Sequence, residues 1–319
     1  MPQYIVLPAI NISDGHRANG PANCDPQYGI VTRFAPSPNG LLHWGHAYAA
    51  ICAHDFARAH GGRFLLRIED IDAGRSRQEY TQSILTDVKW LGLHWDGEAI
   101  MQSARIHTYR AALDRLIAMG LAYRCGCTRG EIDRAVRGNP VRHGPDGPVY
   151  PGTCRGQMVD EHRPFCWRLD MHAATEYSAK SAPKHIAEST VQWTDLVAGK
   201  QTADPSRFGD IVLWRKDAPA SYHLAATLDD HNDGITHVVR GHDLFAYTDI
   251  HILLQKLLGL LHPVYWHHDL LLDEKGEKLS KSRGSTAISL RRMAGDMGAD
   301  WTAMLRSGQL PLGISMANA

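Results

Sequence analysis

The chain has 319 residues, of which 44% are hydrophobic, 21% charged and 8% aromatic, with 34 basic side chains balanced by 34 acidic ones. That length suits two compact units or one domain with a large insertion, and the composition excludes disordered, collagenous and coiled-coil chains. No run approaches the ~18 consecutive apolar residues of a membrane span, and the opening MPQYIVLPAI lacks the basic start of a secretory signal. A cytoplasmic protein with no membrane partner is therefore expected, and zero formal charge leaves any RNA contact to a local basic face.

Residues 1–28 carry Pro, Asn, Gly and Asp without periodicity and predict a loosely ordered extension. Tyr28–Phe34 reads as a buried strand, and Pro36, Pro38 and Asn39-Gly40 turn the chain. A helix is predicted from about Gly45 to His60, ended by Gly61-Gly62. Arg63–Ile68 alternates as a second strand. Ser76 and Glu79 predict a capping box for a helix to Trp90, with Ile84, Val88 and Leu91 at helical spacing. Ser103 is expected to cap another helix, with Tyr109, Leu113 and Leu116 on its apolar stripe. Residues 137–164 are rich in Gly, Pro, Arg and His, and short runs near 165–170, 189–197 and 210–215 suggest strands. The α/β pattern then resumes with Ile235–Arg240, Phe245–Leu260 and Val264–His268. An α/β fold with a parallel sheet is expected.

Three constellations carry chemistry. In Arg33-Phe-Ala-Pro36-Ser37-Pro-Asn-Gly40-Leu-Leu-His43-Trp-Gly45-His46, a strand runs through a stiff turn into a helix N-terminus carrying two imidazoles and a glycine. Free N–H groups and the helix dipole favour phosphate there. In Asp273–Gly284, Lys275, Lys278, Lys281 and Arg283 form a mobile basic loop able to neutralise charge on a leaving pyrophosphate. Taken singly, the first pattern is compatible with a capped helix and incidental histidines, and the second with a solvated turn.

The third constellation is Cys125-Gly-Cys127, then Tyr150-Pro-Gly-Thr-Cys154. Three thiolates within thirty residues suit tetrahedral zinc, although reduced buried cysteines would give the same pattern. The fourth ligand is open on the residues alone, and on ligand chemistry His143 is a candidate.

The words RFAPSPNGLLHWGHAYAA, LLRIEDID, YHLAATLDDHNDGITHVVRGHDL and GEKLSKS, in this order, resemble the glutamyl/glutaminyl branch of the class I aminoacyl-tRNA synthetases. His-x-Gly-His follows the first strand and Lys-Leu-Ser-Lys-Ser the last, Leu279 standing at the usual methionine. The resemblance covers about residues 30–285. It implies a Rossmann-type parallel sheet split by a zinc-binding insertion, with ATP across the carboxyl ends of the strands. Its domains would be the extension 1–28, a first catalytic half 29–124, the insertion 125–205, a second catalytic half 206–275, and a basic loop with a short helical C-terminus at 276–319.

The resemblance also assigns roles. His43 and His46 would steady the ATP phosphates, and Lys278 and Lys281 the leaving pyrophosphate, with Pro36, Gly45, Ser280 and Ser282 completing the ATP site and Mg2+ accompanying ATP. Arg33, Ser37, Glu69, Tyr222 and Arg240 match the family's amino-acid site for L-glutamate. Among shortened relatives, Cys-x-Cys with Tyr-x-x-x-Cys holds one structural Zn2+, which maps to Cys125, Cys127, Tyr150 and Cys154 and favours Tyr150 over His143. In full glutamyl-tRNA synthetases a long anticodon-binding region follows the basic loop, whereas here only residues 283–319 follow Ser282. Family members shortened in this way transfer glutamate to queuosine in the anticodon loop of tRNA(Asp). The resemblance thus implies ATP, glutamate and queuosine-bearing tRNA(Asp) as partners, and a monomer is expected. The alternatives are a minimal enzyme charging a tRNA 3′ end, a non-catalytic paralogue binding amino acid or RNA, and an adenylating ligase with a small acceptor.

Overall fold

The computed structural model describes residues 29–137, 142–160, 162–180, 191–281 and 284–317. The expected extension at 1–28 and the proposed ATP-site residue Ser282 lie outside them. The chain opens with strand β1 (Val31–Phe34), helix α1 (Trp44–Ala59) and strand β2 (Arg63–Ile68), the two strands pairing in parallel. Helix α1 buries Ala47, Ala50, Ile51, Cys52, Ala53 and Phe56 and so has almost no polar face. It is covered on both sides, by the sheet and by the C-terminal residues. Trp44 packs 4.6 Å from Trp301, and Arg306 grips Asp55 through both carboxylate oxygens.

Helix α2 (Gln78–Trp90) and strand β3 (Ile100–Met101) follow, β3 pairing in parallel with β2. The expected capping box does not form: Arg77 is the N-cap, with no side-chain bond. The Ser76 amide is already committed to the Asp72 carbonyl, and the Arg77 amide donates to Pro38 O, so a tertiary contact sets this helix start. Ser103 caps nothing either. It sits in a 3-10 turn, Gln102–Arg105, before α3 (Ile106–Ala118), and both its amide and its hydroxyl donate to Asp70.

Strand β4 (Ala122–Cys125) leads to α4 (Arg129–Arg137), the small hairpin β5 (His143–Gly144) and β6 (Gly147–Pro148), β7 (Cys166–Leu169) and α5 (Met171–Lys180). Then come the hairpin β8 (Gln192–Asp195) and β9 (Gly199–Thr202), β10 (Val212–Trp214), α6 (Tyr222–Asn232), β11 (His237–Gly241), α7 (Thr248–Leu258) and β12 (Val264–His268). Residues 125–205 do not form one block. Strands β10, β7 and β4 make a separate antiparallel sheet, whereas β8 returns to pair in parallel with β12. Short apolar runs look alike whichever sheet receives them, so local pattern could not separate the two.

Parallel strands β11 and β12 form a second sheet with β8 and β9. The two halves meet at β1, where the Thr236 amide donates to Val31 O at 3.0 Å and the Val31 amide to the Thr236 hydroxyl at 2.8 Å. The C-terminal residues add β13 (Leu271–Leu272), α8 (Ser289–Met293), α9 (Gly298–Arg306) and β14 (Ser315–Met316), with β13 and β14 antiparallel. At Gly298 a Cβ would lie 1.8 Å from the Trp90 carbonyl, so only glycine lets this turn seat on α2. Among the described residues no helix is long and apolar enough to cross a membrane.

Candidate functional site

Two clusters flank the junction of β1 and β11. The first is a cavity of about 260 Å3 lined by His43, Gly45, His46, Gly241, Asp243, His268 and Lys278–Lys281, among others. His43 is the N-cap of α1: the Gly45 amide donates to its Nδ1 at 3.1 Å, and its own amide donates to His46 Nδ1 at 3.2 Å. An imidazole nitrogen that accepts from an amide has no proton, so each ring carries its proton on Nε2. Burial, with Lys281 and Lys278 nearby, lowers the His43 pKa to about 4, and burial pushes His46 well below its ordinary value. Both rings are thus neutral and present Nε2–H donors at a helix start. At Gly45 a Cβ would press on the His43 ring at 3.1 Å, so the glycine keeps this cap intact.

The basic loop is held by backbone and core. Leu279 is buried in the main hydrophobic cluster and its amide donates to Leu271 O, which explains why an apolar residue stands between the basic ones. Lys278 pairs with the Asp243 carboxylate. Lys281 donates to Ser37 O at 2.7 Å and Asn39 Oδ1 at 3.0 Å, and burial lowers its pKa to about 8. The Ser280 amide donates to the Ser285 hydroxyl. Buried Pro36 uses its carbonyl to accept from the Glu69 amide, so the turn after β1 is tied to both clusters.

The second cluster holds Arg33, Glu69, Tyr222 and Arg240. Arg33 is engaged by Asp230 at 2.9 and 3.4 Å and also donates to Val239 O. Arg67, fully buried on β2, contacts Asp230 at 2.9 Å, Asp233 at 3.2 Å, Asp229 at 3.8 Å and Glu69 at 3.9 Å. Arg105 closes the network on Asp229 and Asp233. Burial pushes the Glu69 carboxyl up to about 7, although Arg67 and Arg33 pull the other way. Arg240 differs from Arg33. It is 5% exposed, and its hydrogen-bond partners are neutral: Tyr222 Oη, His251 Nδ1, His267 Nε2, Thr248 Oγ1 and Leu244 O. Among the described residues no carboxylate pairs with it. A buried cation without a counter-charge is costly, so this arrangement can receive an anion. Just before Tyr222, the buried Ala220 adopts φ 60, a left-handed strain at a non-glycine residue.

Sequence reasoning gave no role to Arg67, Asp229, Asp230 and Asp233, or to His223, His251, His267 and Asp195. A signal existed for the first group: Arg67 interrupts an apolar strand, and three carboxylates recur within five residues at the end of α6, Asp229 and Asp230 on the helix and Asp233 at its C-cap.

The three thiols also converge. The Sγ atoms of Cys125, Cys127 and Cys154 lie within 4.8 Å of one another. The Tyr150 hydroxyl joins them, 3.3 Å from Cys125 Sγ and 3.6 Å from Cys127 Sγ, and it accepts from the Cys154 amide at 2.9 Å. The Arg168 guanidinium covers the Tyr150 ring at 3.9 Å. The exposed His143, paired with Pro148 on the β5–β6 hairpin, is outside this group. Cys166, isolated in sequence, faces Cys125 across β4 and β7.

The chain matches, over residues 29–318, the family model of class I tRNA synthetases (E and Q), catalytic domain. It is 45% identical over 282 residues to a glutamyl-Q tRNA(Asp) synthetase from Rhodobacter capsulatus, covering 85% of this chain and 98% of that protein. A glutamate–tRNA ligase from Nitratidesulfovibrio vulgaris is 42% identical over 262 residues, which span 81% of this chain and 52% of the ligase. A crystal structure of a glutamate tRNA ligase from Elizabethkingia meningosepticum in complex with its amino acid superposes with a TM-score of 0.68 at 25% identity, covering 91% of this chain and 66% of that one.

Proposed function

The chain belongs to the class I tRNA synthetases of the glutamate and glutamine branch, and from that premise we propose that it activates glutamate with ATP and transfers it to queuosine of tRNA(Asp). The observation that carries the activation step is the pair of neutral imidazoles, His43 and His46, on the same cavity as Lys278 and Lys281. Their Nε2–H groups can donate to ATP phosphate oxygens, and a Mg2+ ion travelling with ATP would add charge to the same phosphates. Lys278 and Lys281 would leave Asp243 and the Ser37 carbonyl to follow the charge that grows on pyrophosphate.

The substrate itself supplies the nucleophile. An α-carboxylate oxygen attacks the α-phosphorus and pyrophosphate leaves. A hydroxyl of the acceptor then attacks the acyl carbon and AMP leaves. The chain's residues need only position and stabilise charge. Glu69 suits the α-ammonium. Arg240 suits the side-chain carboxylate, which stays charged through both steps, whereas the α-carboxylate loses its charge on becoming an acyl group. Arg33, tied to Asp230, would complete the pocket wall with Ser37 and Tyr222.

The acceptor is supported by the match to nearly the whole length of the glutamyl-Q tRNA(Asp) synthetase. Between the end of β4 and β7, the thiolates of Cys125, Cys127 and Cys154 with the Tyr150 phenol oxygen would hold a structural zinc, three soft sulfurs and one oxygen making the four donors of a tetrahedral site. Glutamate-dependent ATP–pyrophosphate exchange tests the activation step. His46→Ala and Lys281→Ala should each slow it roughly 10²-fold, the scale for one lost contact to developing charge. Near-normal exchange in both variants would remove these residues from the mechanism.

A further inference from the structure

Behind Arg240 lies a hydrogen-bonded chain that the activation chemistry does not use. Asp195, at the end of β8, accepts from the Val197 and Ala198 amides through Oδ1, both at 2.9 Å. Its Oδ2 lies 2.7 Å from His267 Nδ1, and both side chains are 1% exposed. Burial opposes charge on Asp195, but His267 and the two amides hold it below the usual carboxylate range. Asp195 is therefore an acceptor only, and the His267 proton must sit on Nδ1. That leaves the Nε2 lone pair to accept from Arg240 Nε at 3.1 Å. On another edge of the guanidinium, His251 Nδ1 lies 3.3 Å from Nη1, and its Nε2 lies 3.3 Å from His223 Nδ1.

We propose that Asp195 and His267 are a positioning pair, which fixes the plane of the Arg240 guanidinium while keeping the carboxylate one imidazole away from it. The pair thereby makes Arg240 select a substrate bearing a side-chain carboxylate over one bearing a carboxamide. This rests on the reading of Arg240 as the ligand of that carboxylate. The contrast within the same site supports it. Arg33 touches Asp230 directly and has its charge answered by the protein, whereas Arg240 meets neutral acceptors and keeps its full charge for the ligand. A carboxylate placed directly on Arg240 would compete with glutamate. An unsupported Arg240 would be free to turn, and a neutral carboxamide would then lose less by binding there.

In Asp195→Asn the amide can keep an oxygen toward the two backbone N–H groups only by turning its NH2 toward His267. The ring must then accept on Nδ1 and carry its proton on Nε2, facing the Arg240 Nε–H, so two donors meet. The same logic governs a carboxylate behind a catalytic histidine. His267→Gln can preserve the arrangement, its Oε1 toward Arg240 and its NH2 toward Asp195, whereas His267→Leu cannot.

Pyrophosphate exchange with glutamate and ATP varied separately, on the full chain, tests this, with Arg240→Lys as the reference variant. Asp195→Asn and His267→Leu should raise the glutamate KM roughly tenfold or more, the scale for one hydrogen bond to a charged group. They should leave the ATP KM within about twofold and narrow the preference for glutamate over glutamine, while His267→Gln recovers most of the loss. Glutamate KM values near wild type in both disruptive variants, or parallel rises for glutamate and ATP, would overturn the proposal. So would a His267→Gln variant no better than His267→Leu, a comparison that stands even if Asp195→Asn does not fold. An Arg240→Lys variant with an unchanged glutamate KM would instead overturn the reading of Arg240 itself.

Discussion

At the scale of single residues, the two clusters are poised by opposite uses of burial. Burial strips protons from bases: His43 and His46 stay neutral and can only donate through Nε2, and Lys281 is brought down to about 8. Burial keeps a proton on the acid Glu69, near pH 7. Below about 7 Glu69 is increasingly neutral and holds an ammonium poorly, so kcat/KM for glutamate should rise as pH increases through that value. Above about 8 Lys281 loses its charge, and the same quantity should fall. Glu69→Gln should remove the acid limb and Lys281→Arg should carry the alkaline limb upward. A profile that is flat across this interval in the unmodified protein, or limbs that survive both substitutions, would contradict these assignments. The histidines should add no limb near neutrality, since they bind protons only in more acidic solution.

At the scale of elements, what could be read in advance was what depends on neighbours in sequence. Arg63–Ile68 and Val264–His268 are strands over the predicted residues, because alternation or a short apolar run bounded by turns defines them locally. Helix starts were less legible. Ser76 and Ser103 have the right residue types, but Pro38 and Asp70, far away in the chain, decide where those helices begin. The proposed amino-acid site shows the same division. Arg33 and Glu69 stand in recognisable words, whereas Asp195 reaches His267 across 72 positions and no local pattern marks the pair. Cys125, Cys127 and Cys154 were visible as a cluster; that the Tyr150 hydroxyl points into it, while His143 does not join it, required the fold. Purified protein should carry about one zinc per chain, and Cys125→Ser or Cys154→Ser should release it and lower the Tm. Tyr150→Phe should weaken retention and His143→Ala should leave it unchanged. A metal-free protein whose Tm is insensitive to chelator would return the thiols to ordinary packing.

At the scale of the whole molecule, the parallel halves meet at β1 and β11 and set the start of α1, the proposed phosphate site, beside the charged cluster proposed to take the amino acid. The same scaffold occurs in glutamate–tRNA ligases, of which this chain spans about half in one relative and nearly all of a glutamyl-Q tRNA(Asp) synthetase in another. The activation site alone does not distinguish the two acceptors, since both reactions use glutamyl-adenylate. Both acceptors also offer a cis-diol, on a terminal ribose or on the cyclopentene ring of queuosine, so the acceptor has to be found chemically. Incubating the protein with ATP and labelled glutamate, and mapping the label by nuclease digestion and mass spectrometry of the tRNA nucleosides, identifies it. The predicted result is glutamate on queuosine of tRNA(Asp) and none on the same tRNA lacking queuosine; glutamate on the 3′-terminal adenosine of tRNA(Glu) would contradict it.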